Sequence, residues 1–282
     1  MENIMSNKCL VIVVTYNSEK HIQWCVSGLD NIESEVEIRI VDSGSKNPNY
    51  LDSVVSTNKI SVIKEENIGF VAGNNRALYD IDEFDWVLFL NPDARIDKES
   101  MEKLLTFATQ SPQHESTGMF TVPLVRYDIA NMKSLNVFDS VGLGCNYYGR
   151  WYDIKANEPV VTLSEEFTSV EGICGAFMLT RTSALKKCLD STGGMGFERS
   201  YYMYKEDVEI SQRFIRSGWD LIVYNACTAY HCRGWNSSRK AVPYWARWHS
   251  AVNDVDVARK YKWRALPMTL GKLVWVKYFE KK

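Results

Sequence analysis

Two acidic positions stand where the chain turns, and each has the chemistry of an active site. Asp93 closes Asn91-Pro92-Asp93, directly after the apolar run Trp86 to Leu90. A carboxylate on a proline-stiffened turn suits Mg²⁺ or Mn²⁺, which bind one or two carboxylates and otherwise phosphate oxygens and water. Asp207 lies in Tyr202-Met203-Tyr204-Lys205-Glu206-Asp207-Val208-Glu209, an acidic cluster at the start of a helix. There a carboxylate can serve as a general base for a hydroxyl, with Glu206 as the adjacent alternative. His231, after a late strand, offers a nitrogen ligand to the same metal. Each has a plainer reading: a turn residue, carboxylates drawn to a positive helix end, a satisfied histidine.

Asp42 follows the run Val36 to Val41 and can accept hydrogen bonds from a base or ribose, or merely cap a turn. In Asn67-Ile68-Gly69-Phe70-Val71-Ala72-Gly73-Asn74-Asn75-Arg76 the glycines permit close backbone approach, the amides offer donors and acceptors, and Arg76 offers a diphosphate contact. This stretch is neither a Walker loop nor a G-x-G-x-x-G fingerprint.

The elements that must position these groups alternate. Cys9 to Val14, Val36 to Val41, Ile60 to Ile63 and Trp86 to Leu90 read as buried strands ending in polar loops, with helices expected over Glu19 to Leu29 and again before Ile60. Such alternation implies an α/β fold with a mainly parallel central sheet flanked by helices, and ligands then gather beyond the carboxyl ends of the strands. The loops at 15–18, 42–45 and 91–93 should share one rim. Thr121 to Val125 reads as a further strand, followed by about 40 loop-rich residues with aromatics from Tyr147 to Tyr152. Val208 to Ser217 has helical spacing, and Leu221 to Tyr224 reads as a strand.

A net charge of −2 makes no electrostatic case for nucleic acid. The charge is nevertheless sorted: residues 239–282 hold 11 Lys/Arg against 3 Asp/Glu, leaving 22 against 32 in the rest. Seven scattered cysteines without C-x-x-C spacing suggest neither a disulfide framework nor a zinc site, and a reducing cytoplasm is expected. No apolar run is long enough for a signal core or a membrane span. In the basic tail Trp245, Trp248, Val252 and Val255, then Trp263, Leu266, Leu270, Leu273, Val274 and Phe279, recur among cations. Such a segment either packs as helices on the main domain or lies on an anionic membrane surface.

In order and position, VVTYN (13–17), VDSGS (41–45), ENIGFVAGNNRAL (66–78), FLNPDA (89–94), GAFMLTRTSAL (175–185), YMYKEDVEIS (202–211), RFIRSGW (213–219) and AYHCRG (229–234) resemble glycosyltransferase family 2, inverting enzymes of GT-A fold, and its bacterial rhamnosyltransferase-like branch. The resemblance implies a catalytic domain over 1–238, with a donor-binding half to about 125, an acceptor-binding half from 126, and a helical tail over 239–282. It implies that Thr15, Asn17 and Asp42 hold the nucleotide, that Asn67, Gly69, Asn75, Arg76 and Asn91 face the donor, and that Asp93 and His231 hold Mg²⁺ or Mn²⁺. Asp207 would be the base, with Glu206, Gly175, Ala176 and Trp151 on the acceptor side. Asn91 replaces the first aspartate of the family's D-x-D, and Glu198 stands where relatives often have aspartate. The implied reaction moves a sugar, L-rhamnose from dTDP-L-rhamnose in the first reading, onto a saccharide or lipid-linked acceptor of bacterial surface polysaccharide or O-antigen synthesis. The enzyme would then work at the inner face of the cell membrane. The alternatives are a UDP-hexose donor or a non-catalytic carbohydrate-binding relative. A nucleotidyltransferase would need a glycine-rich loop where Thr15-Tyr16-Asn17-Ser18 stands.

Overall fold

A strand covered on both faces needs apolar side chains at nearly every position, and β1 (Cys9–Thr15) is buried along its whole length. The computed structural model describes residues 8–110, 115–233 and 242–281, so the domain boundary expected at 238/239 lies outside the described residues. Alternate side chains of β1 point to opposite layers. Cys9, Val11 and Val13 join Ile22, Cys25 and Val26 of α1 (Ile22–Ser27) in one core, while Leu10, Ile12 and Val14 join a second core on the other face.

The chain continues through β2 (Val36–Ser43), a 3₁₀ turn at Pro48–Ser53, β3 (Lys59–Glu65), α2 (Gly69–Arg76), β4 (Trp86–Leu90), β5 (Ala94–Ile96) and α3 (Lys98–Gln110). Next come β6 (Thr117–Thr121), β7 (Leu124–Asp128), β8 (Lys133–Ser140), β9 (Leu143–Cys145), β10 (Trp151–Asp153), β11 (Phe167–Ser169) and β12 (Phe177–Arg181). The last elements are α4 (Thr182–Lys187), α5 (Glu206–Arg216), β13 (Asp220–Tyr224), β14 (Ala229–His231), α6 (Tyr244–Tyr261) and α7 (Leu266–Phe279). The main sheet has the order β11-β13-β6-β12-β4-β1-β2-β3. β4, β1, β2 and β3 are mutually parallel, β13 is parallel to β6, and β12 is inserted antiparallel between β4 and β6. This is the expected α/β architecture, and the ends of β1, β2 and β4 do share one rim.

Four local expectations are corrected. Thr121 to Val125 is two strands, because Pro123 interrupts the chain: β6 stays in the main sheet and β7 enters a second sheet of order β5-β14-β7-β8. The loop-rich stretch after it contains β8 to β11, and in β8 polar, half-exposed residues and register shifts against β7 erase any alternation. The Asn67 to Asn75 loop is largely the helix α2, its first residue Gly69 at φ +85°, where a Cβ would meet the Tyr202 ring at 2.5 Å. The helix expected from Glu19 to Leu29 is only α1.

α6 docks on the catalytic body through polar contacts. Lys260 pairs with buried Glu198 at 2.9 Å, Tyr201 donates to Asp256 at 2.8 Å, and Tyr261 donates to Glu209 at 2.7 Å. α7 packs on α6.

Candidate active site

Parallel strands deliver the first wall. Thr15 at the end of β1 donates to Asp42 at the end of β2 (3.1 Å), and Asp42 also accepts from the Ser45 hydroxyl and amide at 2.5 and 3.0 Å. Asn17, at φ 51°, accepts from the Lys46 amide at 2.9 Å. Asp42 is thus the keystone of the β2 turn, with both oxygens engaged inside the protein.

Beyond the ends of β4 and β14 lies an open cleft of about 340 Å³, lined by Phe70, Asn91, Asp93, Gly175, Ala176, Tyr204, Glu206, Asp207, His231 and Arg233 among others. β14 pairs antiparallel with β5, setting His231 opposite Ala94. That register brings His231 Nε2 to 3.4 Å from Asp93, while Nδ1 lies 2.8 Å from fully buried Asp139. Burial alone would lower the His231 pKa, but the two carboxylates push it up to about 9. Burial likewise opposes ionisation of Asp93 and Asp139, and the imidazole outweighs it and holds both below the usual range. Arg233 extends the network, 3.0 Å from Asp139 and 2.6 Å from Asp153 of β10.

The residues fit a divalent cation with few protein ligands. Asp93 faces a histidine whose other nitrogen is held by a carboxylate, the usual support for a ligating imidazole, and Asn91 Oδ1 is buried without a hydrogen-bond partner among the described residues. No group of three His, Cys, Asp or Glu able to hold a metal occurs among the described residues, so phosphate and water would complete the shell.

The opposite wall is the start of α5. Tyr204 and Lys205 both have positive φ, 69° and 68°, an uncommon pair for residues with side chains. Asn253 of α6 holds this turn, donating to the carbonyls of Met203 and Tyr204 at 3.1 and 2.7 Å. The turn aims Glu206 and Asp207 into the cleft. Asp207 accepts from the Gly175 amide at 3.2 Å and from the Val208 amide at 2.8 Å. Burial, reinforced by the charge of Asp207, pushes Glu206 up to about 8, and its Oε2 has no partner among the described residues. Burial also raises Asp207, against the opposing pull of Lys205.

The structure therefore brings Asn91, Asp93, Gly175, Ala176, Glu206, Asp207 and His231 together, with Thr15, Asn17 and Asp42 on the adjoining rim. Five expected residues go elsewhere. Arg76, at the far end of α2, pairs with Glu65 at 2.7 Å and does not line the cleft. Asn75 spends its amide on both backbone groups of Phe197, at 2.8 and 2.9 Å. Trp151 packs partly buried against the core, with Lys262 over its ring. Asn67 accepts from the Tyr202 hydroxyl at 2.6 Å, and Gly69 serves the close packing of that ring. Glu198 lies outside the cleft altogether, held near pKa 2 because Lys260 and two serine hydroxyls outweigh its burial. Sequence reasoning missed Arg233, Asp139 and Asn253. Arg233 lies two positions after His231 in the chain and could have been found. Asp139 and Asn253 carry no local signal.

The family model described as Glycosyl transferase family 2 matches residues 10–189. The N-acetylglucosaminyl-diphospho-decaprenol L-rhamnosyltransferase of Mycobacterium tuberculosis is 23% identical over 285 aligned positions, covering 94% of this chain and 89% of that protein. Among solved structures, GalNAc-T7 with UDP, GalNAc and Mn²⁺ superposes with a TM-score of 0.67 at 12% identity. The alignment covers 89% of this chain and 48% of GalNAc-T7, so the chain spans about half of that protein. Staphylococcus aureus TarS in complex with UDP-GlcNAc gives 0.55 at 18% identity, covering 96% of this chain and 73% of TarS. Because the family match covers residues 10–189, more than half of the chain and including β1, β2, β4 and β12 of the main sheet, the chain belongs to glycosyltransferase family 2, and it has the GT-A fold.

Proposed function

We propose that the protein is an inverting transferase that moves L-rhamnose from dTDP-L-rhamnose onto a saccharide or lipid-linked saccharide acceptor, with Asp207 as base. One observation carries the assignment of the base. The Asp207 carboxylate is oriented by the Gly175 amide on the wall facing Asp93 and His231, and burial raises its affinity for a proton. In the reaction an acceptor hydroxyl gives its proton to Asp207 while its oxygen forms the bond to the anomeric carbon. The bond from that carbon to the diphosphate breaks, and its electron pair leaves with the nucleoside diphosphate. Arg233, fixed by Asp139 and Asp153, replaces Arg76 as the cation that meets the growing charge. Asp93, His231 and the amide oxygen of Asn91 would hold Mg²⁺ or Mn²⁺, which when bound neutralises charge on the leaving diphosphate.

The rhamnosyl donor is supported by the relative named a rhamnosyltransferase, and that relative's name also supports a lipid-linked acceptor. A UDP-hexose donor is the second reading, favoured by the fold neighbours that hold UDP or UDP-GlcNAc. A screen of dTDP-rhamnose, UDP-hexoses and GDP-mannose for metal-dependent binding and hydrolysis separates the two. Turnover of a UDP-hexose but not of dTDP-rhamnose would discard the rhamnosyl reading, and a product that keeps the donor's anomeric configuration would discard inversion.

A further inference from the structure

We infer that α7, together with the turn at Tyr147–Tyr148, is a docking face for an anionic lipid surface. Only Lys272 and Lys277 are charged among the 14 residues of α7, so the helix is apolar nearly all round. A helix of that kind is normally covered on every side. Among the described residues α6 packs against it, Thr269 and Val276 being its buried residues, with Lys272 tied to Ser250 and Asp254. Leu270, Val274 and Tyr278, one turn apart in succession, are exposed together with Trp275 and Phe279.

Three observations choose the occupant. At 14 residues the helix is about 21 Å long, too short to cross a bilayer of about 30 Å, and no described helix is long and apolar enough to do so. Arg264, Lys277 and Lys281 stand exposed around the apolar stripe, while Glu280, the acidic residue of this segment, is engaged by Arg247 and Trp275. A second copy would set these cations against themselves, which disfavours self-association, whereas anionic headgroups complement them. Finally, Trp263 is 79% and Tyr147 77% exposed, side-chain types that settle at headgroup depth. Arg264 lies over the Tyr147 ring at 5.7 Å, and a Cβ on Gly149 would collide with Ala265, so the turn and the start of α7 form one surface.

That surface connects to the cleft. The turn joins β9 to β10, and β10 carries Asp153, the partner of Arg233. Asp153 is six residue steps from Tyr147, a reach of about 20 Å at most even for extended chain. The use of the face, not its existence, rests on the lipid-linked acceptor reading: an acceptor whose lipid stays in the bilayer would present its head group to the cleft.

The test is flotation of the full chain with phosphatidylcholine vesicles, with and without phosphatidylglycerol. The chain should float with the anionic vesicles, and affinity should fall about fivefold for each of K277Q and K281Q. L270S/V274S/F279S changes exposed side chains only and should weaken flotation by about tenfold or more, with its Tm and its hydrolysis of donor unchanged. Failure of the wild-type chain to float, or equal flotation of wild type and triple variant, overturns the inference while leaving donor hydrolysis to judge the reaction. Light scattering that shows a dimer dissolved by the triple variant would assign the face to a second copy instead.

Discussion

Replacing Asp207 with Asn removes the proton acceptor while keeping the shape, and the structure sets what else changes. The carboxylate accepts from Val208 at 2.8 Å and from Gly175 at 3.2 Å. An asparagine can serve only one of these amides with its oxygen, and the shorter bond should keep it. Loss of the longer one costs about 1 kcal/mol. Against this, the substitution removes a buried charge that also raises the pKa of Glu206. The net change in stability should stay within about 1 kcal/mol, a Tm shift of about 2 to 4 °C or less for a chain of this size. Transfer should fall by about 10² to 10⁴, or about 2.7 to 5.4 kcal/mol of lost transition-state stabilisation. Calorimetric affinity for the nucleotide should hold, because the residues proposed to hold the donor stand on the other wall. Steady-state transfer with saturating donor is the assay. Transfer within about threefold of wild type, with the fold intact, would refute the argument and move the base to Glu206.

Asp93→Ala should abolish metal-dependent donor binding in titrations with Mg²⁺ or Mn²⁺. It should also destabilise the apo protein by about 1 to 3 kcal/mol, because Asp93 is not an exposed rim residue as its sequence context suggests but is bridged to His231 with 19% of its side chain accessible. His231 has a folded pKa above its free value, so the stability it contributes is present in full below about 6.5 and disappears as pH rises through about 9. The Asp93→Ala deficit in Tm should shrink over that window. Glu206 is also raised, but as an acid it favours the fold when neutral, so its ionisation costs stability as pH rises from about 4.5 through about 8. Glu206→Gln should therefore gain Tm over wild type above pH 8 and not at pH 5, and equal pH profiles would count against the buried, unpartnered carboxyl. Asn253→Ala strands two carbonyls of the strained turn before α5. It should lower Tm by an amount equivalent to about 1 to 3 kcal/mol and reduce kcat more than donor affinity; unchanged kcat would separate α6 from the catalytic wall.

The donor-side scaffold was legible in the sequence because its signals are local. Continuous β-branched runs such as Cys9 to Val14 and Trp86 to Leu90 belong only to strands covered on both faces, and a polar turn after each marks the rim where ligands bind. Asp93, Asp207 and His231 were visible for the same reason, each standing at the end or start of an element. The partners of these residues were not. Asp139 reaches His231 across 92 positions and Asn253 reaches Tyr204 across 49, and no window of sequence contains such pairs. Nor could spacing reveal that the amide of Asn75 is consumed by Phe197, that Arg76 turns to Glu65, or that of two basic aromatic helices α6 is docked and α7 is left, among the described residues, with an exposed apolar face. Hydrophobic periodicity reports that a side chain seeks cover; only the packed tertiary structure decides what covers it, and which polar groups remain free to meet a substrate.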